Sequence, residues 1–226
     1  MAKKFVVRLT EQELAQMLAT SLFDKGFKNV LSSLVPKKSS DNTKINPPSS
    51  NADFPNLDLS SSEGYNAYKK IADKFINSRS SNFLDIRGSM LADAARNTQA
   101  KTGTYVPVEL ALAQLAMEGG FSNNPNARPI RTKNPFNVGN VDSGKNVFHS
   151  SVQSGIQTYY DTMARKYLTG GKSASDLMKN FVNISGKRYA SSPKYERNIS
   201  QLANQVRDIG EPIYASISKI DSSKDV

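Results

Sequence analysis

The chain contains no cysteine. Disulfides, zinc thiolates and a cysteine nucleophile are therefore all excluded. It has one histidine, His149. A histidine-rich metal centre is impossible, and a Ser-His-Asp triad would have to use that single residue. His149 lies in Asn-Val-Phe-His-Ser-Ser, and no Gly-x-Ser-x-Gly elbow occurs. It reads as a surface histidine beside a strand or turn. Nothing in the sequence calls for a metal or another cofactor. Long apolar runs are missing too: no stretch approaches the roughly 20 residues of a membrane span. The first residues are basic, as in a secretory signal, but Arg8 and Glu11 interrupt the apolar core that a cleaved signal needs. No cleaved signal is expected.

What is present is positive charge. The 226 residues suffice for one well-buried domain with appendages, and their formal net charge is +10. Residues 61–226 carry 22 basic and 14 acidic side chains, against 8 and 6 in residues 1–60. Such an excess suits a polyanion such as nucleic acid, acidic lipid or an anionic cell wall, or it serves solubility alone. The basic residues do not interleave with aromatics in any nucleic-acid-binding module, so nucleic acid is not an expected partner.

Three segments precede or follow the main domain. In residues 1–35, Thr10 and Glu13 form a capping box, and Leu14, Met17, Leu18, Ser21 and Leu22 recur at helical spacing. That predicts a short amphipathic docking helix over 10–23. Residues 36–62 are rich in Ser, Asn, Asp and Pro without periodicity and read as a linker. Residues 63–210 read as a mainly α domain, with helices predicted over 63–79, 88–100, 107–118, 151–168, 174–181 and 193–208. A loop or small β lobe fills 119–150, and 211–226 is a tail.

Glu118 is the most informative residue. It ends the apolar run Val-Glu-Leu-Ala-Leu-Ala-Gln-Leu-Ala-Met-Glu, just before Gly119 and Gly120. A carboxyl among Leu, Ala and Met loses hydration, and the helix dipole opposes a negative charge at a C-terminus; both raise its pKa. A carboxylic acid that is still protonated near neutral pH is a proton donor of the kind glycoside cleavage needs. Glu109, nine residues earlier, falls half a turn away at about 100° per residue and should point to the opposite face. It is expected to be structural, in the first turn of its helix.

Two later segments carry further chemistry. Asn134, Phe136, Asn137 and Asn140 combine several hydrogen-bonding amides with an aromatic plate. That is the make-up of a sugar-binding strip, and equally of a turn rich in Asn for conformational reasons. Tyr189 stands just before a helix predicted to start at Ser191 or Ser192, with Pro193 in its first turn. It reaches into a cleft or is buried with its hydroxyl satisfied.

Taken in order, these pieces resemble a known family. Pro107, Ala113, Gln114 and Glu118 to Gly120 come first, followed by Asn134 to Gly139, then Phe148 to Val152 ahead of a Tyr-containing helix, then Arg188 to Tyr195. The chain is similar over roughly residues 63–208 to bacterial and phage β-N-acetylglucosaminidases of the flagellar-hydrolase and autolysin type, which are lysozyme-like. The resemblance implies that Glu118 is the general acid, that Tyr189 is the active-site tyrosine, and that the 134–139 segment lines the glycan cleft. The implied substrate-binding residues are Asn134, Phe136, Asn137, Gly139, Tyr159 and Tyr195. Phe121 stands where the family has Trp, and Asn137 where it has Gly. Asp142 is the only carboxylate between Glu118 and the next helix. It activates water, or the substrate's acetamido group assists instead, so the stereochemistry stays open.

The resemblance implies a peptidoglycan hydrolase cleaving the β-1,4 bond after N-acetylglucosamine. The alternatives are a lytic transglycosylase on the same scaffold and a non-catalytic virion structural protein. By analogy with phage virion proteins, residues 1–60 would dock on tail or capsid proteins, and the particle would deliver the domain to the cell wall.

Overall fold

The computed structural model describes residues 54–79, 83–140 and 144–222. The expected docking helix at 10–23, most of the linker, and Asp142 lie outside the described residues. The described part is mainly helical. Its helices are α1 (Ser62–Arg79), α2 (Gly88–Thr102), α3 (Val108–Gln114), α4 (Arg128–Thr132), α5 (Val152–Thr162), α6 (Ala174–Lys179) and α7 (Tyr195–Ser222). Both α3 and α5 continue into a wide π turn, at Leu115–Gly119 and Met163–Tyr167.

α3 is the central element. Every residue from Val108 to Leu115 is buried, Glu109 and Gln114 included. A helix that is apolar nearly all round has no face to offer water and must be enclosed. It packs on α7 and α1, while α1 also packs on α2 and α7, α2 on α5, and α6 on α7. α1 buries the stripe Tyr68, Ile71, Ala72, Phe75 and Ile76 toward this core. α5 starts with a capping box at Ser151, whose hydroxyl accepts from the Ser154 N–H while the Ser154 hydroxyl accepts from the Ser151 N–H. Gly155 in its first turns lies so close to the 133–135 segment that a Cβ there would meet the Lys133 carbonyl oxygen at 2.2 Å. That contact fixes α5 against the loop after α4.

Three boundaries differ from expectation. The end of the linker belongs to the core: Leu59 is fully buried, Leu57 is 6% exposed, and the Arg96 Nε donates to the Leu59 carbonyl at 2.6 Å. The last helix starts at Tyr195 rather than Ser191 or Ser192. It then runs through Pro212 to Ser222, so the expected tail is largely helix, with Ile213 buried. The described residues between Gly119 and Ser150 form turns and the short α4, in line with the loop alternative, and no strand occurs among the described residues. One isolated antiparallel bridge joins Val182 and Arg188.

Candidate active site

Glu118 sits inside the π turn that closes α3. A π turn inserts one residue into the helix and rotates the facing of its last residues, a feature that recurs at functional sites. Gly120 ends the turn in the left-handed conformation (φ 61), donating to the Ala116 carbonyl. At Gly119 a Cβ would meet the Phe83 ring at 2.8 Å and the Pro135 carbonyl oxygen at 3.0 Å. The missing side chain lets the 134–140 loop close against the end of α3.

That loop is organised by its asparagines. Asn134 is fully buried: its Oδ1 accepts from the Val138 N–H at 3.1 Å and its amide donates to the Val138 carbonyl at 2.9 Å. Asn137 takes φ 51, the left-handed region where glycine is easiest and asparagine the best-tolerated substitute. Its amide donates to the backbone carbonyl of Glu118 at 2.8 Å, satisfying one of the free carbonyls at the end of α3. Its Oδ1 accepts from the Asn140 amide at 3.0 Å, and Asn140 Oδ1 accepts from the Val147 N–H at 2.7 Å. Gly139 (φ 74) completes the turn. Phe136 is fully buried and stacks on Tyr159 with ring centres 3.7 Å apart.

The Glu118 carboxyl is held from the other side by α7. Tyr195, 3% exposed, donates to Glu118 Oε1 at 3.2 Å. Its hydroxyl accepts from the Gln114 amide at 3.0 Å, and Gln114 Oε1 accepts from the Tyr159 hydroxyl at 2.7 Å. Glu118 is crowded by apolar neighbours but keeps a partly exposed face. Burial raises its pKa to about 7, against the opposing pull of hydrogen bonds from Tyr195 and the Asn137 side chain. Tyr195, Tyr189 and Tyr159 are held well above the usual tyrosine range, first by burial and then by neighbouring groups that include Glu118. They are neutral hydroxyls and serve as hydrogen-bond donors, not as bases.

The structure redistributes several expected roles. Tyr195, not Tyr189, touches the acid. Tyr189 stacks on Tyr195 at 5.7 Å, and its hydroxyl donates to the Phe136 carbonyl at 3.1 Å. Asn134, Phe136 and Tyr159 have no exposed surface, so they shape the site from behind rather than line a cleft as expected. Asn137 and Gly139 keep some exposure. Glu109 is buried as a structural group, accepting from the Tyr214 hydroxyl at 2.6 Å. The count of 100° per residue that underlies the expected opposite facing applies only as far as Gln114. The π turn at 115–119 departs from that spacing, and both carboxyls accept from tyrosines of α7, Glu118 from Tyr195 and Glu109 from Tyr214. About 13 Å of helix axis still separates them. His149 is half-buried rather than a surface residue; burial lowers its pKa, and its Nε2 has no partner. The sequence marks Gln114 only as part of the Glu118 stripe. Its spacing of four from Glu118 is the available signal for its role, since i and i+4 side chains share a helix face.

Among the described residues no three His, Asp or Glu side chains gather as a metal site, and no helix is long and apolar enough to cross a membrane. No protein-family model, curated protein or solved structure matches the chain.

Proposed function

We propose that the chain is a peptidoglycan hydrolase that cleaves the β-1,4 glycosidic bond after N-acetylglucosamine, using a lysozyme-like helical domain. The observation that carries this reading is the state of Glu118. Its carboxyl keeps its proton up to about pH 7, is gripped on one oxygen by Tyr195, and is partly open to solvent. Glu118 gives its proton to the glycosidic oxygen as the bond to the anomeric carbon breaks. Water then adds to that carbon and gives its proton to Asp142; alternatively the sugar's acetamido oxygen bonds to the carbon first, and water displaces it while giving its proton to the Glu118 carboxylate left by the first step. Tyr195 and Asn137 hold the acid in place, and Tyr189 braces Tyr195. The order of motifs from Pro107 to Tyr195 supports the same reading. In it, residues 1–60 attach the domain to a phage tail or capsid protein, and the enzyme acts at the host cell wall.

Glu118→Gln keeps the shape of the side chain and removes the transferable proton. On purified walls the variant is expected to lose lysis by at least about 100-fold. Lysis close to that of the parent protein would end the proposal. With the parent protein, lysis falls as pH rises through about 7, because the acid loses its proton there.

A further inference from the structure

The three groups behind Glu118 form a relay with a direction. Tyr159 is fully buried, its ring stacked on Phe136 and edge-on to Tyr160. The acceptor its hydroxyl reaches is Gln114 Oε1, at 2.7 Å. If the Gln114 amide turned over, its nitrogen would face Tyr159 and the Tyr159 proton would be stranded in an apolar core. A buried donor without an acceptor is costly, so the amide is held with its nitrogen toward Tyr195. Tyr195 thereby receives a hydrogen bond on its oxygen, and its own proton is free for Glu118 Oε1 at 3.2 Å. Both hydroxyls of the relay are satisfied in this polarity, and reversing it strands one of them.

We infer that Gln114 and Tyr159 are positioning residues, which fix the relay so that Tyr195 donates to Oε1 and the carboxylic proton of Glu118 is carried on Oε2. This rests on the acid role proposed for Glu118. Neither residue is placed to touch substrate. Their effect is to keep the transferable proton on the oxygen that Tyr195 does not hold. Among the described residues, the titratable groups facing Glu118 are Tyr159 of α5, Tyr195 of α7 and Tyr189 ahead of it. All three stay neutral at pH values where Glu118 ionises, so none of them adds a charge change of its own to that titration.

The test follows Glu118 by carboxyl-carbon NMR, with the signal assigned by its loss in Glu118→Gln, in Tyr159→Phe, Tyr195→Phe and the double variant. Both substitutions preserve the rings and their stacking. Tyr159→Phe releases the Gln114 amide, whose oxygen then competes for the Tyr195 proton. The carboxylate loses a donor, and its pKa rises by roughly one unit. Tyr195→Phe gives the same upward shift, and the double variant shifts no further than Tyr195→Phe alone. On wall fragments, Tyr159→Phe lowers kcat several-fold at low pH, leaves KM unchanged and moves the alkaline limb upward. An unmoved titration in Tyr159→Phe, or shifts that add in the double variant, would overturn the relay. The NMR readout needs no turnover. Wall lysis surviving in Glu118→Gln would remove the proposed reaction, and the titration would still decide the relay.

Discussion

As the proposed acid, Glu118 meets two opposing demands: it must be dry enough to keep its proton and open enough to give it away. The π turn at 115–119 reconciles them by placing the carboxyl at the rim of the core rather than inside it. The arrangement carries a stability cost with a defined pH window. The folded chain releases this proton near pH 7, against an ordinary glutamate value of 4.5. Between those values the folded state binds more protons than the unfolded one. The cost is therefore absent below about pH 4.5, where the carboxyl is neutral in both states, and stability is lost as pH rises through 7. Glu118→Gln stays neutral throughout. Its stability relative to the parent should rise between pH 4 and pH 8, by up to about 3 kcal/mol. Urea unfolding at the two pH values measures the difference, and an equal effect at both would contradict it. The setting of Glu118 is legible in the sequence, because an apolar run ending in Glu-Gly-Gly points both to its burial and to its place at a helix end. The division of labour between Tyr189 and Tyr195 is not. Their contacts depend on where α7 begins and on the wide turn of α3. Asn137 is legible in part from its residue type, since its φ of 51 is one that asparagine tolerates.

At the scale of elements, the ends of the domain are the least legible parts. Leu57 and Leu59 lie in a stretch of Ser, Asn and Pro with no periodicity, and only tertiary packing makes them core. The same holds beyond Gly210. The Asp-Ile-Gly-Glu-Pro sequence reads as a helix stop, since Pro lacks the N–H that would continue the ladder. Yet α7 goes on through Pro212, because Ile213 is buried and Tyr214 supplies the hydrogen bond to buried Glu109. Deleting residues 211–226 should therefore destabilise the domain. Losing the Ile213 burial costs about 1.5–3 kcal/mol, and leaving the Glu109 carboxyl short of its donor costs about 1–3 kcal/mol more. Denaturant unfolding of the truncated chain checks this, and an unchanged midpoint would show that the segment is a tail after all. α1, α2 and the central α3 are readable within a few residues, because strong apolar periodicity or an unbroken apolar run leaves little choice of partner face.

For the whole molecule, the sequence carries a net charge of +10, with most of the excess in residues 61–226. Two ion pairs occur among the described residues, Lys69 with Asp73 and Arg188 with Glu196. Exposed charge of one sign acts at long range in dilute salt and is screened within about 8 Å at physiological ionic strength. Sedimentation with purified walls should therefore weaken steadily between low and high salt. It should do so equally for Glu118→Gln, because in the proposed reading this mostly buried carboxyl gives a proton and is not a charge anchor. Salt-independent binding would assign the charge to solubility alone. The measurement that reaches the central claim most directly is mass spectrometry of the glycan ends released from purified walls by the parent protein and by Glu118→Gln. Hydrolysis with Glu118 as the acid predicts reducing-end N-acetylglucosamine from the parent and no release from the variant. Anhydro-muramic ends, or the same products from both proteins, would contradict it.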